Sequence, residues 1–289
     1  MDKPTGLDTD EEIHRALSDD GTEIAGRVHG EGPPLVLVHG AMGDGEFVWD
    51  PLLPFLTDRF TCYTMSMRSR GLSGHSTDLS TERRIEDVTA FVESVGDTVG
   101  VLGWSQGGQL ALGAAEHTDA VSALAAYEPA VLEALSEEEF ARFSDTITRV
   151  SELTAADRPV DAARAFIQWV STEDELDEMN DAMMADFIEG CAANVQLLLQ
   201  EIEELDDEGR TSPTGASELA AITAPVLLLH GNRSDPWFVD GNRHVAEHVT
   251  DTKMQEIDGT GHMGPIHKPE AVADEIGRFF AAIQEPPQS

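Results

Sequence analysis

The sequence predicts an α/β protein with a doubly wound, mostly parallel sheet and an inserted helical segment. Short runs that are apolar throughout alternate with helical patterns, and such runs are typical of parallel strands covered by helices on both faces. The alternation stops between residues 131 and 217, where amphipathic stretches rich in Asp and Glu follow one another. We therefore divide the chain into a first core part (1–130), a helical cap insertion (131–217) and a second core part (218–289).

The strands of this sheet are predicted from six apolar runs. They lie at residues 35–38, 62–65, 99–102, 121–127, 226–229 and 254–257. Residues 23–29 follow the turn signal Asp19-Asp20-Gly21, which predicts an antiparallel hairpin at one edge of the sheet. The segment 269–282 predicts a final helix.

One stretch of the insertion shows clear helical periodicity. An apolar face holds Val195, Leu198, Leu199, Ile202 and Leu205, and the polar face holds Gln200, Glu201, Glu203 and Glu204. We expect the apolar face to pack against the core and the four polar residues to face solvent.

The net charge is the unusual bulk property. The chain has 55 acidic and 18 basic residues, which give a formal net charge of -37. Repulsion on this scale opposes a compact state at low ionic strength, but it is screened within about 3 Å at 1 M salt. We therefore expect a halophilic protein. Nucleic acid is not an expected partner, because phosphate binding requires basic patches.

Cysteine usage and hydropathy bear on location. Two cysteines, Cys62 and Cys191, are too few for a disulfide framework. The N-terminal segment is acidic without an apolar stretch, and a run long enough to cross a membrane, about 18 apolar residues, is lacking. The expectation is a cytoplasmic protein with no membrane contact.

The strongest chemical signal is Gly103-Trp104-Ser105-Gln106-Gly107, a G-x-S-x-G sequence. It directly follows the predicted strand 99–102 and precedes a helical pattern. A serine at such a sharp strand-to-helix turn is held in a strained conformation that exposes its hydroxyl, and the helix N-terminus supplies amide donors where an oxyanion develops. Ser105 is therefore the candidate nucleophile.

Two further motifs follow predicted strands. They are His39-Gly40-Ala41-Met42, after strand 35–38, and Gly261-His262, which precedes the final helix. With these motifs the chain resembles the α/β-hydrolase superfamily over nearly its full length, in particular its single-domain esterases, haloperoxidases and lactonases. The resemblance implies an eight-stranded sheet, His262 as general base for Ser105, and an oxyanion hole formed by the backbone N–H groups of Ala41 and Gln106. His39 is expected to be a buried histidine that orients its loop.

Two carboxylates compete for the role of triad acid. Asp235 follows strand 226–229, where most of the superfamily keeps this acid, although Ser234 occupies the usual position three residues after the glycine. Glu128 ends strand 121–127, the position from which haloalkane dehalogenases and some related hydrolases supply it. Topology places Asp235 slightly ahead of Glu128.

The sequence from His244 to His248 fits the H-x-x-E-H pattern of inverted zinc peptidases. Two histidines four residues apart share a helix face and can bind zinc. The helix follows strand 226–229, however, where the resemblance implies a solvent-facing helix away from the site. We therefore expect neither a metal nor a cofactor.

The function predicted from these residues is hydrolysis of a carboxylic ester or related acyl bond in a small-molecule substrate, through an acyl-enzyme on Ser105. The same fold also serves lactones, carbon–carbon cleavage and cofactor-free perhydrolysis or lyase reactions, and fold alone does not select among them. A hypothesis of another class is a ligand-binding receptor that keeps the triad but hardly turns over. The sequence does not indicate the oligomeric state.

Overall fold

A twisted sheet forms the centre of the computed structural model, which describes residues 12–179, 181–204 and 212–284. Within these residues the sheet has eight strands in the spatial order β1-β2-β4-β3-β5-β6-β7-β8. The first two form an antiparallel hairpin, β2 runs antiparallel to β4, and the other neighbours are parallel. The strands are β1 (Ile13–Leu17), β2 (Glu23–His29), β3 (Pro34–Val38), β4 (Thr61–Met65), β5 (Val99–Trp104), β6 (Val121–Tyr127), β7 (Val226–Gly231) and β8 (Thr252–Ile257). The predicted fold class and the edge hairpin are confirmed.

Helices connect the strands. They are α1 (Leu53–Leu56), α2 (Thr81–Val95), α3 (Gln106–His117), α4 (Glu137–Ala155), α5 (Pro159–Val170), α6 (Glu173–Glu178), α7 (Asp181–Ala192), α8 (Val195–Glu203), α9 (Ala216–Ala221), α10 (Pro236–His248), α11 (Gly264–His267) and α12 (Pro269–Gln284). A short 3₁₀ turn, Leu132–Ala134, precedes α4.

The central strands of the sheet are buried on both faces, which explains why strands such as β3 and β5 are apolar throughout. Leu35 and Leu37 of β3 belong to the hydrophobic cluster that contains Ile276 of α12, whereas Val36 belongs to the cluster on the other face, with Val88 of α2. Burying each such side chain contributes about 1.5–3 kcal/mol. The alternation along β3 therefore holds two helical layers against one sheet.

Helices α4–α8, which we call the insertion helices, lie between β6 and β7 in the sequence. The first of them begins with a capping box, in which Ser136 accepts from the N–H of Glu139 and the Glu139 side chain accepts from the N–H of Ser136. Side chains of α5 and α7 join the same hydrophobic cluster as Trp104 and Tyr127 of the sheet. The insertion helices thus pack over the carboxyl ends of the central strands.

The predicted periodicity of α8 is met on its apolar face and, with the exception of Glu201, on its polar face, where Gln200 and Glu203 are exposed. Val195 and Leu198 are buried as expected, and Leu205 lies outside the described residues. Glu201, which we expected to face solvent, is 2% exposed. The reason is that two buried arginines, Arg70 and Arg84, meet its carboxylate at 2.8 Å and 3.2 Å.

Among the residues that the structure describes, no helix combines the length and the apolar character that a membrane crossing requires.

Candidate active site

Ser105 occupies a strained turn between β5 and α3. Its backbone has φ +56° and ψ −123°, in a region that residues other than glycine rarely adopt. The amide of Ser105 donates to the carbonyl of Tyr127 at 3.0 Å, which ties the turn to the neighbouring strand β6. The structure therefore holds this serine in the conformation that the G-x-S-x-G motif predicts.

The two glycines of this motif are required by close backbone contacts. A Cβ at Gly103 would lie 2.5 Å from the carbonyl oxygen of Gly107, and a Cβ at Gly107 would overlap the carbonyl oxygen of Val38. Only glycine allows α3 to begin this close to the ends of β5 and β3. The packing brings the N-terminus of α3 against the loop that begins at His39.

His262 lies in the loop between β8 and α11, where Glu128 and Phe238 contact its ring and Trp104 contacts its backbone. Its Nδ1 is 2.8 Å from Oε2 of Glu128. The imidazole stacks on the ring of Phe238, with ring centroids 4.1 Å apart and planes at 11°. The indole N–H of Trp104 donates to the carbonyl of His262 at 2.9 Å. With the Nδ1 proton directed at the carboxylate, Nε2 is the nitrogen that can accept a proton.

Glu128 follows β6 directly and is fully buried. Its Oε1 accepts hydrogen bonds from the amide of Gly231 at 3.2 Å and from the hydroxyl of Ser234. These donors come from the loop after β7, next to β6 in the sheet. Hydrogen bonds to both oxygens favour the ionised carboxylate, which suits a partner for a protonated imidazole.

Asp235, which the sequence analysis placed ahead of Glu128, is not brought to His262. It caps the N-terminus of α10, accepting from the amide of Trp237, and it meets Arg142 at 3.5 Å near the surface. The residue three places after the glycine, Ser234, donates to Glu128 instead. The geometry therefore favours Glu128 over Asp235 as the partner of His262, because the loop after β7 directs a hydroxyl, not a carboxylate, towards it.

The predicted oxyanion residues lie close to Ser105. Gln106 is the first residue of α3, so its amide is one of the four that a helix leaves without an intrahelical partner. Ala41 lines the same cavity as Ser105. A Cβ at Gly40 would lie 3.2 Å from the Cβ of Ser105, so the loop before Ala41 is in contact with the serine.

His39 is buried beneath this loop. Its Nδ1–H donates to the carbonyl of Gly40 at 2.9 Å, and its Nε2 accepts from the amide of Met67 at 3.1 Å. Burial, together with the charge of Arg70, lowers the pKa of His39 to about 3. The ring is therefore neutral and orients its loop, the arrangement that the sequence analysis expects.

Ser105 and His262 open onto one cavity of ≈ 380 Å³. The insertion helices supply much of its apolar wall, with Phe166, Ile167, Val170, Phe187 and Cys191 among the lining residues. Ile167 also lines a groove on the outer side of α5 and α7. The site can thus enclose an apolar group next to the serine.

Two carboxylates that sequence reasoning missed lie close to this site. Glu175 of α6 accepts from the amides of Gly261 and Met263, on either side of His262. Glu201 of α8 accepts from the side-chain amide of Gln106 at 3.2 Å. Neither stands in a motif, and both fall in acidic stretches that look like solvated helix faces, so no local signal distinguishes them.

The H-x-x-E-H histidines have other partners. His244 Nε2 donates to the carbonyl of Thr214 at 2.9 Å, and His248 Nδ1 is 2.8 Å from the carbonyl of His244. In the ranges described above, no group of three or more His, Cys, Asp or Glu side chains is arranged to hold a metal ion.

A strained serine after a central parallel strand, with a buried histidine and carboxylate at the ends of nearby strands, is typical of α/β hydrolases. The chain belongs to the alpha/beta hydrolase family, whose model matches residues 35–275, and it is a hydrolase.

Known proteins of similar sequence and structure agree with this assignment. The chain is 28% identical to pimeloyl-[acyl-carrier protein] methyl ester esterase of Xanthomonas campestris pv. campestris, over 89% of this chain and 98% of that protein. It is 34% identical to the Stenotrophomonas maltophilia enzyme of the same name, over 42% of this chain and 52% of that protein. An α/β hydrolase from Sphaerobacter thermophilus superposes with a TM-score of 0.73 at 29% identity, covering 92% of this chain and 100% of the other.

Proposed function

We propose that the protein hydrolyses carboxylic esters with Ser105 as nucleophile, His262 as general base and Glu128 as the acid that orients it. The observation that carries this proposal is the 2.8 Å contact between His262 Nδ1 and buried Glu128. His262 lines the same cavity as Ser105. The relatives named as methyl ester esterases support the same class of reaction.

The reaction follows from this geometry. Nε2 of His262 takes the proton of Ser105 Oγ while the oxygen attacks the ester carbonyl, and the amides of Ala41 and Gln106 stabilise the oxyanion. The tetrahedral intermediate collapses, the carbon–oxygen bond to the leaving alkoxide breaks, and His262 gives that oxygen its proton. A water molecule, deprotonated by His262, then releases the acid and restores Ser105.

Ionised Glu128 serves both halves of this cycle. Its charge stabilises the imidazolium that forms each time His262 holds the extra proton. Its hydrogen bond keeps the remaining proton on Nδ1, so that Nε2 is always the nitrogen directed at the reaction.

The cavity supports small or medium apolar acyl groups as substrates. Its walls beyond Ser105 and His262 are largely apolar, as in most small-molecule sites. We propose that residues 131–217 act as a cap that selects among such esters, because their helices supply Phe166, Ile167 and Phe187 to the wall.

The composition of the chain indicates the conditions under which the protein works. The net charge of -37 favours a medium of molar salt, where repulsion between surface carboxylates is screened. Two buried, unpaired cysteines, Cys62 and Cys191, are consistent with a reducing cytoplasm.

Hydrolysis of short p-nitrophenyl esters by the wild type and by Ser105→Ala, in about 3 M KCl, tests the proposal. We expect turnover in the wild type, a loss of at least about 10³-fold in the variant, and unchanged thermal unfolding. A folded wild type that shows neither turnover nor a burst of one acyl group per chain would exclude ester hydrolysis and favour a receptor.

A further inference from the structure

Helix α6 of the insertion contacts the loop after β7, which bonds Glu128, and the loop after β8, which carries His262. The hydroxyl of Thr172, at its N-terminus, donates to the carbonyl of Arg233 at 3.1 Å, in the loop after β7. Glu178, at its other end, pairs with the guanidinium of Arg233 at 2.6 Å. Between them, Glu175 contacts the loop after β8. This short helix therefore links the insertion to the residues around His262.

Glu175 makes the closest of these links to the histidine. Its Oε1 accepts from the amide of Gly261 at 2.8 Å and from the amide of Met263 at 2.9 Å. A Cβ at position 261 would lie 2.5 Å from its Oε2, so a glycine before His262 is needed for the carboxylate to approach. One carboxylate thus holds the backbone on both sides of the histidine.

The position of Glu175 opposes its charge. The side chain has no exposed surface, whereas Glu173 in the same helical turn is exposed. Its second oxygen, Oε2, is buried with no hydrogen-bond partner. Burying a carboxylate without a paired cation costs free energy that two amide bonds only partly offset, and an amide side chain could accept the same bonds at lower cost. Stability alone therefore does not account for a glutamate here.

We propose that Glu175 is a positioning residue through which the insertion helices control His262. It fixes the loop by its two amide bonds, and its charge, added to that of Glu128, stabilises the imidazolium formed during the reaction. This inference rests on the proposed role of His262 as general base.

The charged and titratable groups around Glu175 come from three elements. Tyr127 ends β6 and Glu128 follows it directly. Arg233, which is paired with Glu178, lies in the loop after β7, and His262 lies in the loop after β8. Burial, with the charge of Glu128, raises the pKa of Glu175 to about 7. Protonation of His262 favours the ionised form of Glu175, so the charge of Glu175 is present when the imidazolium forms.

NMR titration of the His262 ring tests the proposal without any substrate. We expect Glu175→Gln, which keeps an acceptor for the amides, to lower the pKa of His262 by about 0.5 units, the effect of one partly screened charge. We also expect kcat to fall about threefold, the rate equivalent of that pKa shift, with KM nearly unchanged, since the lost charge acts on the transition state. Glu173→Gln is the matched control and should change neither.

An unchanged titration of His262 in a folded Glu175→Gln variant would overturn the proposal. A second measurement uses the unaltered protein: the amide protons of Gly261 and Met263 should shift with pH, with a midpoint near 7. If these amide shifts stay constant between about pH 6 and pH 8, the charge of Glu175 does not change near neutral pH and the inference fails. Neither readout requires ester turnover, so failure of the proposed function would be recognised separately.

Discussion

Replacing Glu128 by Gln is the change that most directly tests the candidate triad. The carboxylate lies 2.8 Å from His262 Nδ1 and is fully buried, so solvent cannot replace it. A glutamine can direct its NH₂ group at Nδ1, which moves the ring proton to Nε2 and prevents that atom from accepting the serine proton. We expect kcat/KM to fall about 10⁴-fold, as when the corresponding acid of serine proteases becomes an amide, or about 5.4 kcal/mol of transition-state stabilisation.

The matched control is Asp235→Asn. Asparagine caps a helix as well as aspartate, and the contact with Arg142 is near the surface, so kcat/KM should stay within about twofold of the wild type. Both variants are compared by hydrolysis of p-nitrophenyl butyrate, with thermal unfolding to verify the fold. If Asp235→Asn proves the more damaging change, the assignment from the 2.8 Å contact is refuted.

Three further predictions concern selectivity, pH and salt. Ile167→Ala should join the cavity to the outer groove, because Ile167 lines both. The ratio of kcat/KM for octanoyl to that for butanoyl esters should then rise about tenfold, the equivalent of burying roughly two more methylene groups. An unchanged ratio would contradict this prediction. Because His39 has a pKa of about 3 when folded and 6.5 when unfolded, its contribution to stability is full above pH 6.5 and is lost as the pH falls towards 3. Urea unfolding should show this loss as a fall in the free energy of unfolding of up to about 1.4 kcal/mol per pH unit. Above pH 4.5 the raised pKa of Glu175 has the opposite effect on that free energy. The His39→Asn variant should show a weaker dependence on pH. The melting temperature should rise between about 0.1 M and about 2 M KCl, and a fall would argue against a halophilic protein.

Local patterns were sufficient to predict the sheet and the serine turn. The central apolar runs became strands because they are buried on both faces, as Leu35 and Val36 show on opposite sides of β3, whereas β8 at the edge of the sheet is partly exposed. The strain at Ser105 and the close contact between Gly103 and Gly107 involve residues within a few positions of one another, so a short motif can encode them.

The partners of the site depended on contacts between distant parts of the chain. Whether residue 128 or residue 235 meets His262 is decided by how β6 pairs with β7, with Tyr127 opposite Leu229, and no spacing in the sequence records this register. Glu201 is buried for the same kind of reason, because Arg70 and Arg84 come from elsewhere to meet it. Helical periodicity alone assigns such a residue to solvent.

The supply of the carboxylate from β6 has a consequence for the neighbouring loop. Because Asp235 caps α10 and does not contact His262, residues 231–236 bond Glu128 from one side, through Gly231 and Ser234. On the other side of the same turn, Arg233 binds α6 through a hydrogen bond with Thr172 and an ion pair with Glu178. The insertion helices and the candidate triad therefore contact the same turn. A graft that replaces the insertion helices by those of another hydrolase should carry this turn along with α6.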